Sequence, residues 1–249
     1  MVQNFVIPHS RPTLDESDLL SVSKVIRSGR IVQGEVVEKF ENKVAKYIGV
    51  DGAVAMNTGT SALHLSLLAI GIKEGDYVAM PSFVCTALLN AVRYVGAHPT
   101  LVDIDPETYN IDIRDLKKRV KKSTKAIILP HLFGLPADID EIVSLGIPVI
   151  EDCAQAIGAV YKGRKVGSFG KLSCFSFYAT KVLSTGEGGM VVSDSKSLLK
   201  KIRDFRDYDN KKNYTVRYNY KMTDIQAAMG IAQLKKLHSL LLKRANIAK

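Results

Sequence analysis

No stretch of this chain approaches the roughly 18 consecutive apolar residues that a membrane-spanning helix requires, and residues 1–12 lack the charged-then-apolar layout of a secretory signal. A soluble, cytoplasmic protein is therefore expected, with no membrane partner. Cysteine is scarce. Cys85, Cys153 and Cys174 are odd in number and show neither a CxxC pair nor Cys/His ligand spacing. That pattern indicates no disulfide framework and no metal site, and the three thiols read as buried. Internal repeats and low-complexity linkers are also missing. The basic residues are not interleaved with aromatics, and no nucleic-acid motif appears, so nucleic acid is not an expected partner.

What is present is a chain of 249 residues, 46% of them hydrophobic, enough for one well-cored domain or two small ones. Charge is uneven. From Lys196 onward 14 Lys/Arg stand against 4 Asp, so this part carries the whole net charge of +10 while residues 1–195 balance to zero. Solvated helix faces account for this, and so does an acidic partner such as a nucleotide diphosphate or another polypeptide. The basic run 117–125 reads as an exposed helix end.

Punctuation sets the organisation. Thr13 and Glu16 after Pro12 form a capping-box pattern, opening a helix that stops at Gly29, and a second helix is expected over 35–48, ending at Gly49. Short β-like runs then alternate with helical ones, at 53–56, 77–80, 100–103, 126–130, 149–151, 174–177 and 190–193. Seven such strands predict an α/β fold with a mostly parallel sheet flanked by helices and ligands at one strand edge. Thr223 and Gln226 open a last helix whose apolar stripe still runs close to Lys249.

Three constellations carry chemistry. Residues 173–189, SCFSFYATKVLSTGEGG, deliver Lys181 between a β-rich run and a small-residue turn. A lone lysine at a strand end is commonly a solvated charge, yet a desolvated amine there can form a Schiff base with a carbonyl, the chemistry that holds pyridoxal phosphate. Residues 147–158, IPVIEDCAQAIG, read as a buried strand that ends in two acids. Asp152 is placed to pair with a pyridinium nitrogen, and Gln155, three residues on, to reach a phenolic oxygen. Glu151 points the other way and reads as structural. In residues 56–65, MNTGTSALHL, Gly59, Thr60 and Ser61 open a helix that serves either as a phosphate cradle or as an ordinary Ser/Thr-capped start. His131 ends a strand on the same sheet edge and reads as a hydrogen-bonded structural imidazole, with an acid/base role as the alternative. Glu187 sits between glycines whose tight backbone explains the motif.

Taken in order, these segments resemble the DegT/DnrJ/StrS type of sugar aminotransferase. The match runs through Ser28, Gly29, Gly34, Phe40 and Glu41, then the GTxAL turn at 59–63 and the GDxVxxP strand at 75–81. It continues through EDxAQ at 151–155, SFYxTK at 176–181, GEGG at 186–189 and NYxM at 219–222. It covers nearly the whole chain.

The resemblance implies the large domain of a fold-type I transferase dependent on pyridoxal 5′-phosphate. Residues 1–34 would be an N-terminal arm and helix, and residues 35–249 the cofactor-binding domain. Lys181 would anchor the cofactor and shuttle a proton, Asp152 would hold the pyridinium and Gln155 the phenolic oxygen. Phe83 would stack on one ring face, and Thr60, Ser61 and Ser176 would bind the phosphate. Asn219 would come from the neighbouring subunit, which requires a homodimer with a shared site. At position 221 lysine stands where arginine is expected, a point charge in place of a bidentate fork. The implied reaction moves an amino group, from glutamate, to a nucleotide-linked keto-sugar. A related sugar dehydratase would carry histidine in place of Lys181, and a regulatory protein that binds the cofactor without turnover is a second alternative. Family members also carry a smaller C-terminal domain after the last helix, and none follows here, so the chain reads as a fragment, a truncated reading frame or a divergent short member.

Overall fold

A computed structural model describes residue 8 and residues 10–248. The chain begins with helices α1 (Glu16–Ser28) and α2 (Glu35–Ile48). Strand β1 (Gly52–Met56), helix α3 (Gly59–Ala69), strand β2 (Tyr77–Pro81), helix α4 (Thr86–Tyr94) and strand β3 (His98–Val102) follow. Next come helix α5 (Ile113–Arg119), strand β4 (Thr124–Pro130), helix α6 (Ile139–Val143) and strand β5 (Val149–Asp152). A hairpin of β6 (Val160–Tyr161) and β7 (Arg164–Lys165) precedes β8 (Leu172–Ser176), β9 (Gly189–Ser193), α7 (Lys196–Arg206) and α8 (Asp224–Ile247).

Seven strands form one sheet in the order β1-β9-β8-β5-β4-β2-β3, with β9 antiparallel to both neighbours and the other six parallel. The expected strands are these seven, each shifted or extended by two residues or fewer. Their side chains alternate between two buried layers: Ile127, Leu129 and Met190 pack into one core, Ile128, Ile150 and Val191 into the other. Burial on both faces is why the central strands read as mostly apolar runs, while the edge strand β3 stays largely exposed. Helices α3, α4 and α7 cover one face, and α2 with α8 the other.

Two anchors join distant sequence. Asp224, the first residue of α8, accepts from the N–H groups of Gly34 (2.9 Å) and Val37 (2.9 Å), capping α2, whose own N-cap Gly34 has no side chain to do so. On β1, side chains also occupy three backbone groups of the edge not paired with β9. Glu41 accepts from Ala55 N–H at 2.8 Å, while Arg206 and Arg203 donate to the Ala55 and Ala53 carbonyls at 2.8 and 2.7 Å. Arg206 and Glu41 pair at 2.8 Å and are both buried.

Helix α1 starts later than expected. Its N-cap is Asp15, which accepts from Ser17 N–H, and Asp18 reaches back to Asp15 N–H, so a capping box of two aspartates displaces the Thr13/Glu16 pair. Thr13 instead offers its carbonyl to Gln233 of α8. The end at Gly29, left-handed at φ 71°, is as read, as are α2 and the Thr223/Gln226 capping box. The basic run at 117–125 is helical only to Arg119, and Thr124 and Lys125 already belong to β4. The β6–β7 hairpin escaped the sequence reading; Lys162 and Gly163 both have positive φ, the backbone of a two-residue hairpin turn. Among the described residues no helix is long and apolar enough to cross a membrane.

Candidate active site

The carboxyl ends of the parallel strands converge on a cavity of about 360 Å³ lined by Thr60, Asp152, Gln155, Ser176 and Lys181. Five side chains separated by up to 121 residues thus meet where an open parallel sheet places its ligands. Ser61 lies behind the wall. Its hydroxyl donates to Asn57 Oδ1 at 2.7 Å, and its N–H bonds to the N-cap Thr58 at 3.0 Å, so the capping use of this residue is realised. Thr60 lines the cavity.

The turn between β1 and α3 is held very close to its neighbours. A Cβ on Gly189 would come within 2.1 Å of the Thr58 carbonyl oxygen, and one on Gly59 within 2.9 Å of Ser176 Cβ. Glycine at both positions lets the α3 N-terminus close onto the ends of β8 and β9, with its first N–H groups bordering the cavity.

Lys181 is half-buried in the loop between β8 and β9, which is tied across its base by Phe177 N–H to the Gly188 carbonyl (2.9 Å) and Thr185 N–H to the Phe177 carbonyl (2.8 Å). Among the described residues its amine forms no ion pair. Asp152 is buried, and one oxygen accepts from Ala154 N–H at 3.0 Å while the other has no partner among the described residues. Burial pushes its pKa up, an effect that the Ala154 N–H and the charge of Lys181 oppose.

Glu151 and His131 are hydrogen-bonded to each other in the framework, and His131 also lines the cavity. Glu151 accepts from the N–H groups of Gly167 (2.8 Å), Phe169 (2.8 Å) and Gly170 (2.6 Å) and from the Ser173 hydroxyl (3.0 Å), fixing the loop before β8. Burial alone would raise its pKa, but donation from His131 and the backbone holds it below the ordinary value. Ala137 N–H donates to His131 Nδ1 at 3.2 Å, which places the proton on Nε2, 3.0 Å from Glu151. The Glu187 carbonyl accepts from Thr185 and Gln226.

Phe83 and Asn219 are not brought into the cavity. Phe83 is half-exposed with its ring 5.8 Å from that of Tyr109, and Val84 and Cys85 line the wall in its place. Cys85 is exposed, contrary to expectation, because it caps α4 at the cavity mouth; Cys153 and Cys174 are buried and their thiols pushed well up. Lys221 pairs with Asp207 at 3.2 Å and also with Asp209, which turns this point charge onto its own loop.

The neighbours of Asn219 were not legible in the sequence. Tyr218 and Tyr220 donate N–H bonds to the Phe205 and Arg206 carbonyls at 2.8 and 3.0 Å, and Asn57 N–H donates to the Tyr220 carbonyl at 2.9 Å. The segment therefore runs beside the chain's own β1–α3 turn, with Asn219 exposed between two inward-facing rings. Those rings stack at 5.0 Å over His64, whose Nδ1 lies 3.2 Å from the Tyr220 hydroxyl and whose buried Nε2 has no partner. Burial pushes the His64 pKa down from 6.5 to about 4. The unfolded chain thus binds a proton that the folded chain refuses. Stability from this group is complete above pH 6.5 and is lost as pH falls toward 4, by about 3 kcal/mol. Melting temperatures between pH 4 and 7 should show the slope, and His64→Gln should flatten it; an unchanged slope in the variant would assign it to other groups.

The donor set fits pyridoxal 5′-phosphate. A buried carboxylate oxygen without a protein partner suits a ring N–H⁺, the helix N-terminus with Thr60 and Ser176 suits a phosphate, and Lys181 supplies an unpaired amine in the same space. Gln155 Oε1 is taken by Phe133 N–H at 3.0 Å, which leaves its amide N–H groups to donate.

Comparison with known proteins agrees. The model of the DegT/DnrJ/EryC1/StrS aminotransferase family matches residues 12–249. The GDP-perosamine synthase of Escherichia coli is 40% identical over 252 residues, 97% of this chain and 69% of that protein. The GDP-perosamine synthase of Caulobacter vibrioides is 43% identical over 223 residues, 86% of this chain and 60% of that one. A putative sugar aminotransferase from Streptococcus pneumoniae, solved in its PMP form, superposes with a TM-score of 0.93 at 28% identity, covering 98% of this chain and 71% of the other. The chain thus spans 60–71% of the length of these three proteins. With those matches and a cavity that gathers the lysine, the aspartate and the phosphate turn, this chain belongs to the DegT/DnrJ/EryC1/StrS aminotransferase family.

Proposed function

We propose that this chain forms the cofactor-binding part of a cytoplasmic sugar aminotransferase that moves an amino group from glutamate to a nucleotide-linked keto-sugar. The observation that carries the reading is the meeting of Lys181 and Asp152 in one cavity with the α3 N-terminus. When bound, pyridoxal 5′-phosphate supplies the electron sink that lets an amino group leave one carbon skeleton for another. The chain's own groups do the rest. Lys181 Nζ accepts and returns the proton at the reacting carbon, and Asp152 keeps a cationic ring nitrogen paired in a site where an unpaired charge would be costly. Gln155 donates to the phenolic oxygen, and Thr60, Ser176 and the first N–H groups of α3 hold the phosphate.

The proposed active unit is a homodimer in which Asn219 completes the partner's site. Its exposure supports that assignment, and so does the apolar surface around it, where Tyr214 is 95% exposed and Val216 59%. Distance alone does not, since the segment lies beside its own β1–α3 turn. Purified protein loaded with pyridoxal phosphate should lose its visible absorption band on addition of glutamate, and a persistent band would favour a binding protein without turnover. Lys181→Ala and Asn219→Ala homodimers should each be impaired. Co-refolded together, they should recover towards about half of the wild-type conversion per mixed dimer if Asn219 acts across the interface. No recovery, with exchange of chains confirmed, assigns Asn219 to its own site.

A further inference from the structure

In the turn that leads from β1 into α3, most hydrogen-bonding groups are already committed to one another. Asn57 directly follows β1, and Thr58 is the N-cap of α3. Their side chains form a closed set with Ser61. Ser61 N–H donates to Thr58 Oγ1 at 3.0 Å, the Thr58 and Ser61 hydroxyl oxygens lie 2.9 Å apart, and Ser61 Oγ lies 2.7 Å from Asn57 Oδ1. Counting protons fixes the direction of each bond. An amide oxygen can only accept, so Ser61 gives its one hydroxyl proton to Asn57. Thr58 must then supply the proton between the two hydroxyls. Neither hydroxyl keeps a proton for a ligand. Two backbone donors are committed as well, Asn57 N–H to the Tyr220 carbonyl at 2.9 Å and Ala62 N–H to the Thr58 carbonyl at 3.2 Å.

The donors that remain are the N–H groups of Gly59 and Thr60, which have no acceptor among the described residues. Both residues line the cavity that holds Lys181 and Asp152, and Ser61 does not. Adjacent N–H groups at a helix N-terminus hold an anion by their direction as well as by the helix dipole. That direction follows from the backbone torsions of residues 57–60, and Asn57 holds these from two sides. Its N–H ties the start of the turn to Tyr220, and its Oδ1 ties the first turn of α3 through Ser61. We propose that Asn57 is the positioning residue of the phosphate turn: by taking the Ser61 proton it aims the Gly59 and Thr60 N–H groups at the cofactor phosphate and withdraws Ser61 from contact with it. This rests on the cofactor-dependent reading above.

Titration of the full chain with pyridoxal 5′-phosphate and with pyridoxal, followed by the visible band, tests this, because the two ligands share the ring and differ in the phosphate. Asn57→Ala keeps the backbone bond to Tyr220. It should weaken the phosphorylated ligand about tenfold and change pyridoxal by less than about twofold. A merely structural role would lower both alike. Ser61→Ala should cost the phosphorylated ligand about as much, and the double variant no more than either single one, since both changes break the same bond. Asn57→Ser, whose side chain is too short to hold Ser61, repeats the measurement if the alanine variant folds poorly. If Ser61 touches the phosphate directly, its removal costs as much in the Asn57→Ala background as in the wild type. That additive result would overturn the proposal, as would an Asn57 variant that loses both ligands equally or neither. The response of the wild-type band to glutamate is read separately. If the band resists glutamate while the selective loss holds, the aminotransferase reading falls and the positioning role stands. If glutamate bleaches it and the losses are additive, only the positioning role falls.

Discussion

Lys181→Ala is expected to abolish the borohydride-reducible attachment of pyridoxal phosphate to the chain and to cut conversion by glutamate by at least about a thousandfold. Among the described residues the amine is the only lysine side chain lining the cavity that also contains Asp152, Thr60 and Ser176. No other lysine among the described residues is placed to substitute for it. Cofactor should still bind non-covalently, because the α3 N-terminus, Thr60 and Ser176 are untouched by the change. Intact-mass measurement after borohydride separates the two effects: the wild type gains the mass of one cofactor, and the variant gains none. An adduct that persists on the variant would place the anchor on another lysine and remove the basis of the mechanism.

Asp152→Ala should divide rate from affinity. The bond from a carboxylate to a cationic ring nitrogen is worth about 1.5–3 kcal/mol, so affinity should fall by roughly 10–150-fold. The half-reaction should fall by a further hundredfold or more, because the positive charge that withdraws electrons is no longer held in place. The folded chain itself has little to lose. Asp152 is buried with one oxygen unpartnered among the described residues and its pKa is pushed up by burial, so without cofactor the charge opposes folding. Removing it should leave the melting temperature of the cofactor-free protein unchanged or higher. Stopped-flow rates beside cofactor titrations decide the matter, and equal losses in both would reduce Asp152 to a binding residue.

How far the sequence could be read depends on the range of each interaction. The seven strands were legible because each is a short, mostly apolar run between glycines and turn residues, even where the edge strand β3 is largely exposed and β5 ends in Glu151 and Asp152. Lys181, Asp152 and Gln155 were legible because local spacing and strand ends are local facts. Ser61 was half legible: its position at a helix start showed in the sequence, but its bond to Asn57, which takes the hydroxyl, did not. Contacts spanning the chain left no local trace. Nothing near Gly34 announces that Asp224, 190 residues on, caps its helix, and nothing near His64 announces the rings of Tyr218 and Tyr220. The path of the segment around Asn219 left no trace either, since its neighbours return to the β1–α3 turn through backbone bonds that no side-chain pattern encodes. At α1 the error was of another kind, since two overlapping capping patterns competed and the aspartate pair prevailed.

The polar plug along β1 governs how copies of this protein can meet. An edge strand normally invites a foreign strand, and a row of unsatisfied amides is how sheets fuse into fibres. Here Glu41, Arg203 and Arg206 occupy the Ala55 amide and the Ala53 and Ala55 carbonyls from within, so a guest strand could pair with those groups only after a buried ion pair is broken. Association is thereby steered away from backbone pairing at this margin and toward side-chain surfaces, which can be specific and reversible. Loss of either Glu41 or Arg206 would therefore endanger solubility as well as stability.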